Sequence, residues 1–139
     1  MKTIAHHTTR HLLLGIAMIL ATLHPIASPA ADLVKKGKLT HIGLVWLKAA
    51  GSEADRQRII DALQQFAREI PEVQSMTVGK PHASPSKLVD STFDVCFTLV
   101  FDDQAALDRY ARHPVHQKAA QEVFLPLSGK ILFYDFTSE

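Results

Sequence analysis

One cysteine in 139 residues excludes an intramolecular disulfide framework and a thiolate zinc site, so the stability of this chain must come from packing. Glycine and proline are sparse and scattered, at 6 and 7, which excludes collagen-like and proline-rich architectures. Charge of one sign is also lacking: 15 Lys and Arg face 14 Asp and Glu, and no basic run occurs, so the electrostatic footprint of a nucleic-acid binder is missing. The length allows one compact core and excludes a two-domain enzyme. No internal repeat or low-complexity tract interrupts it.

Residues 1–30 read as a secretory signal. Lys2 and Arg10 stand without an acidic residue, an apolar stretch runs from Leu12 to Leu23, and Pro25 precedes the small residues Ala27-Ser28-Pro29-Ala30-Ala31. The apolar stretch is well short of the roughly 20 residues of a spanning helix, so no membrane association is expected after cleavage. No cysteine follows that would accept a lipid. Removing this segment leaves 13 basic against 14 acidic residues, a net charge of −1, and four histidines: His41, His82, His113 and His116. The expected organisation is a signal at 1–30, a short N-terminal segment at 31–38 and one domain at 39–137, exported to a periplasmic or extracellular space. Cys96, in an apolar strand, reads as an inert buried thiol there.

Leu39 to Lys48 is apolar on both alternating sets of residues, which predicts a strand covered on both faces. Ser52 can cap a helix in which Ile59, Ile60, Leu63, Phe66, Ala67 and Ile70 recur at spacings of three and four, ending at Pro71. A second strand is predicted over Val73 to Val78, a loop over Gly79 to Asp90, and a third strand over Phe93 to Phe101. Asp102 and Asp103 favour a helix over Gln104 to Arg112 that presents Ala105, Leu107 or Asp108, and Tyr110 or Ala111. His113-Pro114 interrupts it, a new helix runs to about Phe124, and Ile131 to Phe136 forms the last strand. The order βαββααβ is an α+β pattern with helices on one face of an antiparallel sheet. Strands apolar on both faces, with so few helices to cover them, imply a second subunit and hence a homodimer.

Four segments together resemble the stress-responsive A/B barrel domain family: His41-Ile-Gly-Leu-Val-Trp-Leu-Lys, Phe93 through Asp103, Leu107-Asp-Arg-Tyr-Ala-Arg-His-Pro-Val-His116, and Phe133-Tyr-Asp-Phe136. The resemblance implies a ferredoxin-like protomer that dimerises through its sheet into an α+β barrel. It also implies an open range of functions, since most members have no assigned activity and a plant member is a polyketide cyclase that closes a ring without a cofactor. By position, that cyclase's first-strand histidine falls on His41, its pocket tyrosine on Tyr110 and the histidine of its catalytic pair on His116. On strand three, where the cyclase carries a further pocket histidine, this chain has Val95.

Tyr110, His113 and His116 follow each other at spacings of three around a helix break. In the first turn after Pro114 the helix dipole would hold His116 neutral and able to accept a proton, while Tyr110 would donate to a carbonyl oxygen. The competing reading has His113 capping a helix, His116 bonding a backbone carbonyl and Tyr110 packed in the core. His41 either completes a pocket with them or makes a buried structural hydrogen bond. His113 and His116 supply two metal ligands where three or four are needed, so neither metal nor cofactor is expected. His82 reads as a solvated loop side chain, and Trp46, Phe93, Phe97 and Phe101 as core or interface. The leading expectation is a homodimer binding a small apolar or aromatic molecule between sheet and helices, with His41, Tyr110, His113 and His116 at the ligand. The alternatives are an acid–base enzyme using His116 and Tyr110, and an assembly module.

The expected cleavage places the mature terminus at or near Ala31, to be read by N-terminal mass analysis of protein from the cell envelope; an intact Met1 in membranes contradicts it.

Overall fold

The computed structural model describes residues 36–139; the signal assigned to residues 1–30 lies outside them. Strand β1 spans Leu39–Leu47, helix α1 Glu53–Glu69, β2 Ser75–Gly79 and β3 Val95–Phe101. Then follow α2 (Gln104–Arg112), α3 (Pro114–Ala119), a π-helical turn (Ala120–Phe124), the single turn α4 (Leu125–Leu127) and β4 (Ser128–Thr137). The strands pair antiparallel in the order β2-β3-β1-β4, the α+β arrangement expected from the pattern and the ferredoxin-like topology that the resemblance implies.

The helix boundaries follow from local chemistry. Ser52 Oγ accepts the Asp55 N–H at 3.3 Å and Asp103 Oδ1 accepts the Ala106 N–H at 2.8 Å, each satisfying a donor that the first helical turn leaves open. His113 ends α2 and begins α3, with Pro114 at the first helical position, where its missing N–H costs nothing. On α1 the buried stripe is Ile59, Ala62, Leu63 and Phe66, continued by Ile70; Ala67, expected on that stripe, is exposed. On α2 the buried pair is Ala106 and Tyr110, one turn apart, rather than Ala105.

Two strand starts and one helix also differ from the sequence reading. Val73 belongs to the turn after α1, where its N–H donates to Ile70 O, and β2 begins at Ser75. β4 starts three residues earlier than expected, at Ser128, through a register shift opposite Trp46 and Leu47. The continuous helix expected to Phe124 changes to π geometry at Ala120, the Leu125 N–H reaching back five residues to Ala120 O.

The helices pack on one sheet face. There Val45, Val95, Leu99 and Phe101 are fully buried with Ile59, Leu63 and Phe66. The residues between them in sequence point to the other face, as the alternation of strand side chains requires: Ile42, Leu44 and Trp46 of β1, Val100 of β3, and Leu132, Tyr134 and Phe136 of β4. Tyr134 and Phe136 remain about half exposed. Cys96 also lies on this face and is only partly buried, which corrects the expectation of a fully buried thiol; burial still pushes its pKa up.

The junction between β1 and β3 is held by Asp94, whose carboxylate accepts the Leu47 N–H at 2.8 Å and the Gly51 N–H at 2.7 Å. Arg56, buried on α1, donates from Nε to the Asp94 carbonyl at 3.1 Å. Hydrogen bonds to a charged group contribute about 1.5–3 kcal/mol each, and a buried donor left unpaired costs a comparable amount. Asp94→Ala should therefore lower stability by about 3 kcal/mol in chemical denaturation and Asp94→Asn by less; a loss within about 0.5 kcal/mol, typical of surface sites, contradicts this role.

Candidate functional site

A cavity of about 220 Å³ lies between the helix-facing side of the sheet and the segment from α3 to α4. Its apolar wall comes from Phe66 of α1, Phe97 of β3, Ala120 and Phe124 of the π turn, Leu125, and Ile131 and Phe133 of β4. Its polar groups are His41, Tyr110 and His116. The structure thus brings together three of the four residues singled out in the sequence. His113 does not line the cavity: its Nδ1 accepts the Val115 N–H at 3.3 Å and caps α3. Val95 is fully buried on β3 and does not line it either.

Two features of the sheet shape the cavity. Gly43 pairs with Phe97, and a Cβ at Gly43 would come within 2.2 Å of the Phe97 ring, so only glycine lets that ring lie across β1. Across the other edge of β1, His41 pairs with Asp135, and His41 Nδ1 lies 2.6 Å from Asp135 Oδ1. The imidazole stacks on Phe133 with ring centroids 4.7 Å apart and an interplanar angle of 24°. A carboxylate only accepts, so His41 carries its proton on Nδ1 and leaves Nε2 as the uncommitted nitrogen. Asp135 is the site residue that sequence reasoning missed. Its signal was an acidic residue inside the aromatic run Phe133-Tyr-Asp-Phe136, but its partner is 94 residues away and appears only once the β1–β4 register is known.

The Tyr110 and His116 rings are 4.5 Å apart between centroids. Tyr110 is 3% exposed, set edge-on to Phe66, and its hydroxyl has no hydrogen-bond partner among the described residues. Burial raises its pKa well beyond the ordinary tyrosine value, which keeps it a donor at any physiological pH. His116 Nδ1 lies 3.1 Å from the Ala111 carbonyl oxygen, which can only accept, so Nδ1 holds the proton here too. The pKa of His116 is lowered chiefly by burial, against the opposing effect of that hydrogen bond; the positive charges that His41 and His113 carry when protonated lower it further. The direction agrees with the neutral imidazole expected from the sequence, but the cause is desolvation in the cavity wall. The bland roles and the pocket roles coincide: His113 caps, His116 bonds a carbonyl, Tyr110 packs, and the last two still face the cavity.

Comparison with known proteins then identifies the fold. The sequence profile of the stress responsive A/B barrel domain matches residues 39–138. The chain belongs to that family. Among solved A/B barrel and related structures, a ferredoxin-like member from Mesorhizobium loti is 24% identical, with a TM-score of 0.62 over 75% of this chain and 99% of its own. A dimeric ferredoxin-like protein of unknown function from Jannaschia is 26% identical, with a TM-score of 0.59 over 72% of this chain and 98% of its own. A hydroxynitrile lyase from Passiflora edulis, 19% identical, reaches a TM-score of 0.65 over 76% of this chain and 96% of its own, which shows the shared fold alone. No curated protein sequence matches the chain.

A histidine with a lowered folded pKa binds its proton less readily folded than unfolded, so its contribution to stability is complete above the unfolded value near 6.5 and is lost as pH falls below it. The His116 resonance should titrate below 6.5 in an NMR experiment, and His116→Gln should flatten the loss of stability between neutral and acid pH. A raised His116 pKa contradicts the account.

Proposed function

We propose that this chain is an exported homodimeric A/B barrel protein that binds a small apolar or aromatic molecule in the cavity of each protomer. The observation that carries the reading is the cavity itself: four phenylalanine rings surround a space in which the polar groups are few and convergent. Dimerisation is supported by the apolar sheet face opposite the helices, with half-exposed Tyr134 and Phe136, and by structural neighbours from Bacteroides fragilis, Thermobifida fusca and Jannaschia that are dimeric ferredoxin-like proteins. Export is supported by the composition of residues 1–30, and no helix among the described residues is long and apolar enough to cross a membrane.

A second reading, a cofactor-independent acid–base enzyme of the cyclase kind, is favoured by one specific observation: the His116 and Tyr110 rings stand side by side in the cavity wall, where burial favours the neutral form of each. In that reading His116 Nε2 takes a proton from an acidic C–H or O–H while the Tyr110 hydroxyl steadies the charge on a carbonyl oxygen. The lyase from Passiflora edulis supports the capacity of this fold to hold an enzyme site, though not its reaction here.

Native mass spectrometry of protein purified from its own cell envelope tests the proposal. The expected spectrum shows twice the mature mass at micromolar concentration and a small molecule released on denaturation. A monomer contradicts the dimer, and a dimer that carries nothing and takes up no apolar dye contradicts binding. Turnover of a released molecule that disappears in His116→Ala moves the assignment to the enzyme.

A further inference from the structure

Resting on the binding reading above, we infer that the cavity selects an uncharged molecule with one aromatic ring bearing a free hydroxyl group, a simple phenol, over both the plain hydrocarbon and the aromatic carboxylate.

Size sets the ring count. A dry apolar cavity of about 150 Å³ takes up benzene, so about 220 Å³ admits one six-membered ring with a small substituent. The faces and edges of Phe66, Phe97, Phe124 and Phe133 favour an aromatic ring over an aliphatic one of the same size.

Hydrogen-bonding capacity sets the substituent. With its Nδ1 proton committed to the Ala111 carbonyl, the ring of His116 has only an Nε2 lone pair left to offer. The hydroxyl of Tyr110, a buried residue that lines the cavity, has no hydrogen-bond partner among the described residues and so has a proton left to give. A ligand hydroxyl meets both needs at one atom: it donates to a histidine Nε2 and accepts from Tyr110. A ketone or ether accepts only, and a hydrocarbon leaves both groups unpaired. A carboxylate brings an acceptor to the His116 lone pair, places a charge in an apolar wall, and does so with the Asp135 carboxylate behind His41.

The test uses three probes of one shape on the wild-type mature protein at pH 7.5: 4-methylphenol, 1,4-dimethylbenzene and 4-methylbenzoate, titrated by calorimetry and by ligand-observed NMR. The inference expects 4-methylphenol to bind roughly tenfold more tightly than 1,4-dimethylbenzene, the gain of about one well-made hydrogen bond, and 4-methylbenzoate to bind more weakly than either. Equal binding of the phenol and the hydrocarbon overturns the hydroxyl preference while leaving the apolar pocket intact. Tighter binding of the benzoate overturns the preference for an uncharged ligand. Binding of none of the three overturns the pocket reading itself. Tyr110→Phe should remove most of the difference between phenol and hydrocarbon. Independently of any variant, nitrogen NMR of wild-type His116 should show Nε2 unprotonated and shifted by 4-methylphenol but not by 1,4-dimethylbenzene; a proton on His116 Nε2 overturns the inference.

Discussion

The absence of a side chain at Gly43 is the constraint on which the site depends. Because no Cβ stands opposite it, the Phe97 ring reaches over Gly43 and comes within reach of Phe124 and Phe133, whose centroids are both 6.4 Å away. His41, two residues along the same strand, faces the same side of the sheet and meets Phe133 in a stack. One residue choice on β1 therefore sets the floor of the cavity and the environment of its first histidine.

The two sheet faces solve different problems. The helix-facing side buries enough aromatic and aliphatic surface to make a core, but α1 and α2 do not extend over β4. Phe133, on the core-facing side of β4, is consequently half exposed, and the wall above it is completed by the π turn and α4. Lys48 fastens that segment from below, its ammonium reaching the carbonyl oxygens of Leu125 and Pro126 at 3.1 and 2.8 Å. Among the described residues the opposite sheet face carries no helix. Its apolar residues are what a second subunit would cover in the proposed dimer, and they lie on the other side of the sheet from the ligand cavity.

Much of this was legible in the sequence because it is local. Apolar alternation gave the strands, Ser52 and Asp103 marked helix starts, and Pro114 marked the break between α2 and α3. The candidate site was readable in so far as Tyr110 and His116 sit within two turns of one another. What was not readable depends on register or on distant partners. Asp135 acquires its role from pairing with His41, and Asp94 from amides at the end of β1 and in the turn after it. The π turn at Ala120–Phe124 has no breaker residue of its own, so its sequence reads as ordinary helix until the Leu125 N–H is seen to reach Ala120. Ala106 rather than Ala105 is buried because Tyr110 sets the phase of a nine-residue helix too short to fix it by periodicity.

The central claim is that this cavity exists, preformed and apolar, in the protein without ligand. Crystals of the mature protein pressurised with xenon test it most directly, since dry apolar cavities of this kind take up the gas. The account predicts a xenon peak in each protomer among Phe66, Phe97, Phe124 and Phe133. A space collapsed onto those rings, or one filled by ordered water with no xenon, would contradict it.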